Sequence, residues 1–415
     1  MNSGDTAFII VCAALVMIMT PGLAFFYGGL GRRKNVVSNM MNSFFIMGLG
    51  IALWCAIGYS LSFGGNTAGI FGSFHNLFLN GITMNDLLDP AAEGGSIPTF
   101  VFVVFQMMFA LITPAIITGS VGGRMKFKAL VIFIAVWSII VYYPLAHMVW
   151  GEGGLLGSGW LGSVDFAGGN VVHISSGVSG LVLAVVLGKR QSYDKISYRI
   201  HNIPFILLGA GLLWFGWFGF NAGSALAADG LAAHAFVTTG ISAACGILSW
   251  VVIDLIKSGK PTLIGACTGA VAGLVGITPG AGFVPVYAAF IIGLLVSPVC
   301  YFGIYIVKKV LQIDDALDAF GCHGVGGIFG GLMTGIFAQA SVGGVDGLVY
   351  GNAPLLGKQL IAILISIAVA VVGSLIAVGI AKVFSPLRVS REDELIGLDY
   401  AQHGEQAYPS FNGLD

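Results

Sequence analysis

Asp165-Phe-Ala-Gly-Gly-Asn-Val-Val-His-Ile-Ser-Ser-Gly-Val-Ser-Gly180 places a histidine, His173, near the start of an apolar segment that runs on to Leu187. The nearest basic residue follows only at Lys189. An ionisable ring inside a membrane-length segment is costly, so by default it marks a pathway or a site. The arrangement recurs 150 residues later, at Asp318-Ala-Phe-Gly-Cys-His-Gly-Val-Gly-Gly-Ile-Phe-Gly330. Superposing His173 on His323 brings Gly177 onto Gly327 and Gly180 onto Gly330. Glycines four and seven residues after each histidine share its helix face, so each helix presents one imidazole beside a smooth backbone strip.

Composition sets the solvent. The chain has 415 residues, of which 57% are hydrophobic and only 9% charged, against roughly 25% charged in a soluble domain. This is the make-up of a polytopic membrane protein. A net charge of −1 and no basic run longer than Arg32-Arg33-Lys34 exclude a nucleic-acid partner. The six cysteines all fall in apolar segments without paired spacing and read as small buried residues. The first apolar run, Ala7 to Leu30, has no basic flank before it and is long enough to span, so it is read as a retained helix.

A transmembrane helix needs about 20 largely apolar residues. Eleven segments qualify: 6–30, 39–63, 97–121, 127–149, 170–188, 202–221, 233–256, 262–278, 281–306, 320–338 and 355–385. With the N-terminus outside, the cytoplasmic loops and tail hold every one of the 18 Lys and Arg except Lys358. A single missed helix would scramble that pattern, so the expected fold is an all-α membrane protein of eleven spans, N-out and C-in. The outer loops carry Asp86, Asp89, Glu93, Glu152 and Asp165, a surface that mildly favours cations. The histidine segments are the fifth and the tenth. An odd-numbered repeat must insert upside down relative to its copy, which gives two inverted five-helix halves, about 6–188 and 202–338, plus a long eleventh helix. The membrane domain is expected over 1–386 and a polar cytoplasmic tail over 387–415.

Four stretches carry a resemblance. They are Pro21-Gly-Leu-Ala-Phe-Phe-Tyr-Gly-Gly-Leu30, Asp165 to His173, Gly216-Trp-Phe-Gly-Phe-Asn-Ala-Gly-Ser224 and Gly321-Cys-His-Gly-Val-Gly326. Together, in this order, they resemble the ammonium transporter family (Amt/Mep, related to the Rh proteins). The likeness extends to a tail, Gly397-Leu-Asp-Tyr-Ala-Gln-His-Gly-Glu-Gln-Ala-Tyr408, of the microbial type. The resemblance implies an outer recruitment site at Phe109, Trp150 and Ser224, a stacked-ring gate at Phe109 and Phe220, and a pore pair, His173 and His323, with Trp217 beside them. It implies a buried carboxylate at Asp165 and a tail whose Asp399, His403, Gly404 and Tyr408 pack on the inner face and connect protomers. It further implies a homotrimer in the cell membrane, one pore per protomer, with ammonium or methylammonium as substrate and a PII-type signalling protein as a possible inner-face partner. No cofactor is expected.

The chemistry of the residues agrees with those roles. Ammonium offers only a charge and four donors; an aromatic face holds it with about 0.5–2 kcal/mol, and the Ser224 hydroxyl can accept one N–H. Past the rings the expected walls are Val, Ile, Phe and Gly, where a bare cation is strongly disfavoured and neutral ammonia much less so. A neutral imidazole pair supplies a donor and an acceptor. These points lead to recruitment of ammonium, deprotonation near the gate and passage of ammonia, with the proton on its own route.

Plainer readings exist for each residue. Membrane histidines often join helices by hydrogen bonds, and His75, His147, His201, His234 and His403 are placed in that class or in loops. Aromatic residues in a chain with 29 Phe are usually packing, and Trp150 alone would pass for an interfacial residue. Asp165 is expected mainly to cap the helix that follows, with its charge a secondary contribution. Asp318 precedes its histidine by five residues rather than eight, so it is not the strict counterpart of Asp165. Gly122-Gly123-Arg124 stands where many family members carry Ala-Glu-Arg, and the segment from Trp150 to Asp165 is slightly longer than in close bacterial relatives. An ammonium sensor would use the same site with the tail as its output, and a neutral gas channel would use the same pore. No His-Cys metal set, Ser-His-Asp elbow or phosphate loop supports an enzyme.

Overall fold

With no water in the bilayer core, backbone groups must be satisfied within each span, and helices do so locally. The computed structural model describes residues 1–92, 94–191, 193 and 200–408. Glu93, Lys195 and Arg199, used in the loop-charge reading, and the tail beyond Tyr408 lie outside the described residues.

All eleven expected spans are helical. Span 1 is Ser3–Leu30, span 3 Thr99–Val121, span 6 Ile203–Ala222, span 7 Gly230–Ser258, span 8 Leu263–Ile277 and span 11 Ala353–Phe384. Spans 2 and 4 each contain one π turn, at Trp54–Gly58 and Ser138–Tyr142. Span 5 opens with the π turn Gly169–Ile174 and continues as Ser175–Leu187. Span 10 opens likewise with Phe320–Gly324 and continues as Val325–Phe337. Span 9, expected from residue 281, begins at Val286 because Pro285 occupies the N-cap and Gly280 to Phe283 form a turn. Ordinary caps fix other starts: Asn2, Asn202, Asp229 and Thr262 each accept a backbone N–H from the first turn that follows.

Among the described residues ten helices are long and apolar enough to cross a membrane, and span 8, with 15 residues, is shorter. The loops sort into two ends, as eleven crossings require. At one end the chain start meets the loop between spans 2 and 3 (Asn2 N to Ser96 O, 3.0 Å), Asp5 accepts from Ala228 N, and Phe166 N donates to Pro279 O. At the other end sit Asn35, Arg124, Arg190, Asp314 and the tail. Span 8 reaches the first end at Pro279, so it crosses despite its length.

The inverted halves are visible in packing. Phe166 N donates to Pro279 O after span 8, and Ala316 N, the same distance before the second histidine, donates to Ser120 O in span 3. Gly180 lies against Ser120 of span 3, and Gly330 against Gly276 and Pro279 at the end of span 8. Each histidine helix therefore leans on the third helix of its own half.

The described tail packs on the inner face. Lys126 N donates to Leu387 O and Val389 N to Arg124 O, so the loop after span 3 holds the tail through its main chain. The missing acidic side chain of the Gly122-Gly123-Arg124 loop is not needed for that contact. Arg388 donates to the Leu187 and Lys189 carbonyls and pairs with Glu394 at 2.8 Å. Asp399 accepts from Ser38 N at the start of span 2, and Gln402 accepts from Phe127 N at the start of span 4. His403 lies edge-on to Phe127, Gly404 ends the last tail helix at φ 66, and Tyr408 packs on His201 beneath Arg33. Buried Arg124 donates to Asp314 O, while Arg190 grips the Asp314 carboxylate with two hydrogen bonds. Burial alone would raise the Asp314 carboxyl; Arg190 and Arg124 outweigh it and hold the group below the ordinary aspartate value.

Candidate functional site

The site grows from Asp165. Its Oδ1 accepts from Gly168 N (2.8 Å) and Gly169 N (2.6 Å), and its Oδ2 from Asn170 N (2.7 Å). Burial pushes this carboxyl up from the ordinary aspartate value, and the three amides pull it back. The bonds gather the free N–H groups at the start of span 5 and fix the π turn that carries His173. Such turns add a residue to the helix and commonly accompany functional positions.

The second half repeats the device with a residue the sequence reading passed over. Asp315, eight residues before His323 as Asp165 is before His173, accepts from Phe320 N (2.9 Å) and from Ser120 Oγ (2.7 Å). Asp318 instead adopts φ 61 and pairs with Lys308. The repeat therefore begins at Asp315, and the equal spacing of eight was the available signal.

The two imidazoles face each other. His173 Nδ1 and His323 Nδ1 are 3.2 Å apart, and the ring centroids are 5.3 Å apart at 27°. Glycines make that approach possible. A β-carbon on Gly177 would overlap the backbone of Gly324, and one on Gly327 would come within 3.0 Å of His173 Cβ. Trp217 stacks on His173 at 5.4 Å and donates to Thr278 Oγ1, which fixes its indole. Among the described residues His173 Nε2 has no partner, and it is buried.

On the outer side of the pair, Phe109 and Phe220 stack at 4.2 Å and 26°. A void of about 10 Å³ is bordered by Phe220 of that stack and by both histidines. Apart from the two imidazoles and the Trp217 ring its walls are apolar, formed by residues such as Met19, Leu23, Ile112 and Ile116. The expected valine, isoleucine and phenylalanine walls are there as Val172, Ile112, Ile116 and Phe220, while Met19, Leu23 and Leu213 take the place of the expected glycines. The glycines join helix to helix instead. A void of this size holds about one water-sized molecule.

Beyond the Phe pair opens a cavity of about 260 Å³ lined by Phe109, Trp150 and Ser224, the three residues expected together. Trp150 meets Phe109 edge-on at 5.9 Å and donates its indole N–H to Asp165 O. Ser224 donates to Phe220 O at 2.9 Å, which leaves its oxygen lone pairs able to accept. The same cavity is lined by Gln106, Phe166, Leu88 and Leu226, none of which the sequence reading singled out. Gln106 lies one turn before Phe109 on span 3, and helical spacing was the signal for it; its buried Oε1 has no partner among the described residues. No sequence signal pointed to Leu88 or Leu226. The other histidines stand apart: His147 bridges Ser62 O and Asn66, and His234 bonds Val284 O.

A stack of phenyl rings, a small void with mostly apolar walls and two buried imidazoles thus lie together beside the outer cavity. A model described as the Ammonium Transporter Family matches residues 7–408. The ammonium transporter of Bacillus subtilis is 48% identical over 98% of this chain and 99% of its own length. The crystal structure of Saccharomyces cerevisiae Mep2 superposes with a TM-score of 0.87 at 36% identity, covering 95% of this chain and 90% of that one. A structure named Sensor Amt Protein gives 0.88 at 29% identity, covering 96% and 98%. The chain belongs to the ammonium transporter family.

Proposed function

We propose that the protein recruits ammonium in the outer cavity, removes its proton near the Phe pair and conducts ammonia past the two histidines into the cell. The observation that carries this reading is the void of about 10 Å³ bordered by Phe220, the two imidazoles and otherwise mostly apolar side chains. A bare cation there would lose most of its water with only two imidazoles and two aromatic faces in exchange, whereas ammonia loses far less. Phe109 and Trp150 attract the cation by their ring faces, and Ser224 accepts one N–H. Phe109 and Phe220 are the gate. His173 and His323 hydrogen-bond the neutral guest or pass the proton, and Trp217 holds the His173 ring in place. Asp165 orders the start of span 5, and any charge it carries adds to the attraction. The proton travels separately, so transport carries charge.

The working form is a homotrimer in the cell membrane. An apolar groove of about 440 Å³ between spans 1 and 3, with Ile10, Met17 and Val104 exposed, supplies a face for a neighbouring copy. Asp399, His403, Gly404 and Tyr408 hold the tail where it meets the inner loops, and a PII-type protein docking there would close the exit. A sensor role is less favoured, because the named relative with the higher identity is a transporter.

Reconstitution into liposomes tests the proposal. Ammonium and methylammonium jumps should give saturable currents, and potassium jumps none. Methylammonium uptake without current would replace the charge-carrying mechanism with electroneutral conduction. Absence of both would end the transport reading.

A further inference from the structure

Leu226 follows Ser224 by two residues and lines the same outer cavity, yet it sits at φ 58, ψ 11. This left-handed conformation is sterically disfavoured for a residue with a β-carbon and is routine for glycine. Among the described residues six non-glycine positions have positive φ, and Leu226 alone of them lines the recruitment cavity. Its N–H donates to Gly223 O at 2.9 Å, which closes the short turn Gly223–Ala225 after span 6 and fixes the direction of the side chain. A glycine or asparagine would satisfy this backbone with less strain, so the turn itself does not call for a branched apolar side chain; Leu226 is half-buried against the core and also borders the cavity. Held strain of this kind clusters at ligand clamps.

Leu88 reaches the cavity from another direction. It belongs to the long loop between spans 2 and 3, where Leu88 N donates to Ile97 O and the loop is tied to the chain start through Asn2. Two leucines from separate loops thus join a cavity whose binding groups are aromatic faces, the Ser224 hydroxyl and the Gln106 amide.

We propose that Leu226, assisted by Leu88, is a specificity-determining residue: an apolar collar that limits the size of the alkyl group an incoming ammonium ion can carry. An aromatic cage binds any alkylammonium by charge and does not discriminate by size. Discrimination must come from side chains that occupy the space an alkyl group would need. A misfit of one methylene in an apolar pocket is worth about 10–200-fold in selectivity. This inference rests on the proposed recruitment of ammonium in that cavity.

The test is competition by ethylammonium against ammonium-driven current in liposomes, using the full chain. Leu226→Gly and Leu226→Asn both suit the left-handed backbone and remove the apolar branch. The half-inhibitory concentration of ethylammonium, divided by the half-saturating ammonium concentration, should fall about tenfold in each. Leu88→Ala should shift it in the same direction by less. An unchanged ratio in both Leu226 variants, with ammonium current present, overturns the collar alone. Absence of ammonium current in the parent protein overturns the transport reading beneath it.

Discussion

His173 and His323 meet through like atoms, Nδ1 to Nδ1 at 3.2 Å. Only one hydrogen fits between them, so one ring donates and the other accepts. The donating ring then has an acceptor at Nε2, and the other ring a donor there. In the proposed conduit the pair thus offers one acceptor and one donor, which matches a guest that is both. Replacing either histidine with alanine strands its partner and removes half of that provision. His173→Ala and His323→Ala should each lower ammonium current at least about tenfold, the loss expected from one strong polar contact. A parental current in either variant would show that the pair is structural.

The glycine contacts predict a stability difference within one residue type. Gly177→Ala pushes a methyl into the Gly324 backbone and should cost about 1–3 kcal/mol through overpacking. Gly211, in span 6, has no neighbouring atom within 4 Å of the place a β-carbon would take, so Gly211→Ala should be neutral or stabilising by about 0.5–1 kcal/mol. Thermal unfolding in detergent compares them directly. Equal midpoints would mean the histidine helices are not tightly apposed.

Asp165 and Asp315 share a position but not a workload. Asp165→Ala orphans three buried amides, each worth about 1–3 kcal/mol, and should prevent accumulation of folded protein. Asp165→Asn keeps one acceptor oxygen and should fall between that variant and the parent. Asp315→Asn disturbs one backbone amide and one hydroxyl and should be milder. If Asp165→Asn unfolds at the parental temperature yet loses current, charge rather than capping is what Asp165 contributes.

Tail docking should weaken in mild acid. Burial against Phe127 lowers the His403 pKa from 6.5, more than Asp399 and Glu405 raise it. The released ring therefore takes up its proton first as pH falls, and the docked state loses stability from pH 6.5 downward. Proteolysis of the tail should rise severalfold between about pH 7.5 and about pH 5.5, the range in which histidine changes charge. His403→Gln should flatten that dependence. A parent tail equally protected at both values would place the ring outside any pH response.

Hydropathy and charge determined the spans, their number and their alternation, because each is a property of about twenty consecutive residues and needs no partner. The doubled histidine motif determined the inverted halves for a similar reason: spacing along one chain is enough. Which face of a span points inward was decided only by packing. A helix that is apolar all round carries no stripe to mark its buried side, so Met19, Leu23 and Leu213 gave no sign that they border the void beside the histidines. The partner of Asp165 was present in the spacing of Asp315, yet its role depends on Phe320 and Ser120 arriving from two separate helices. The 3.2 Å contact between the imidazoles is tertiary as well, since it requires Gly177 and Gly327 to let two backbones approach from opposite halves of the chain.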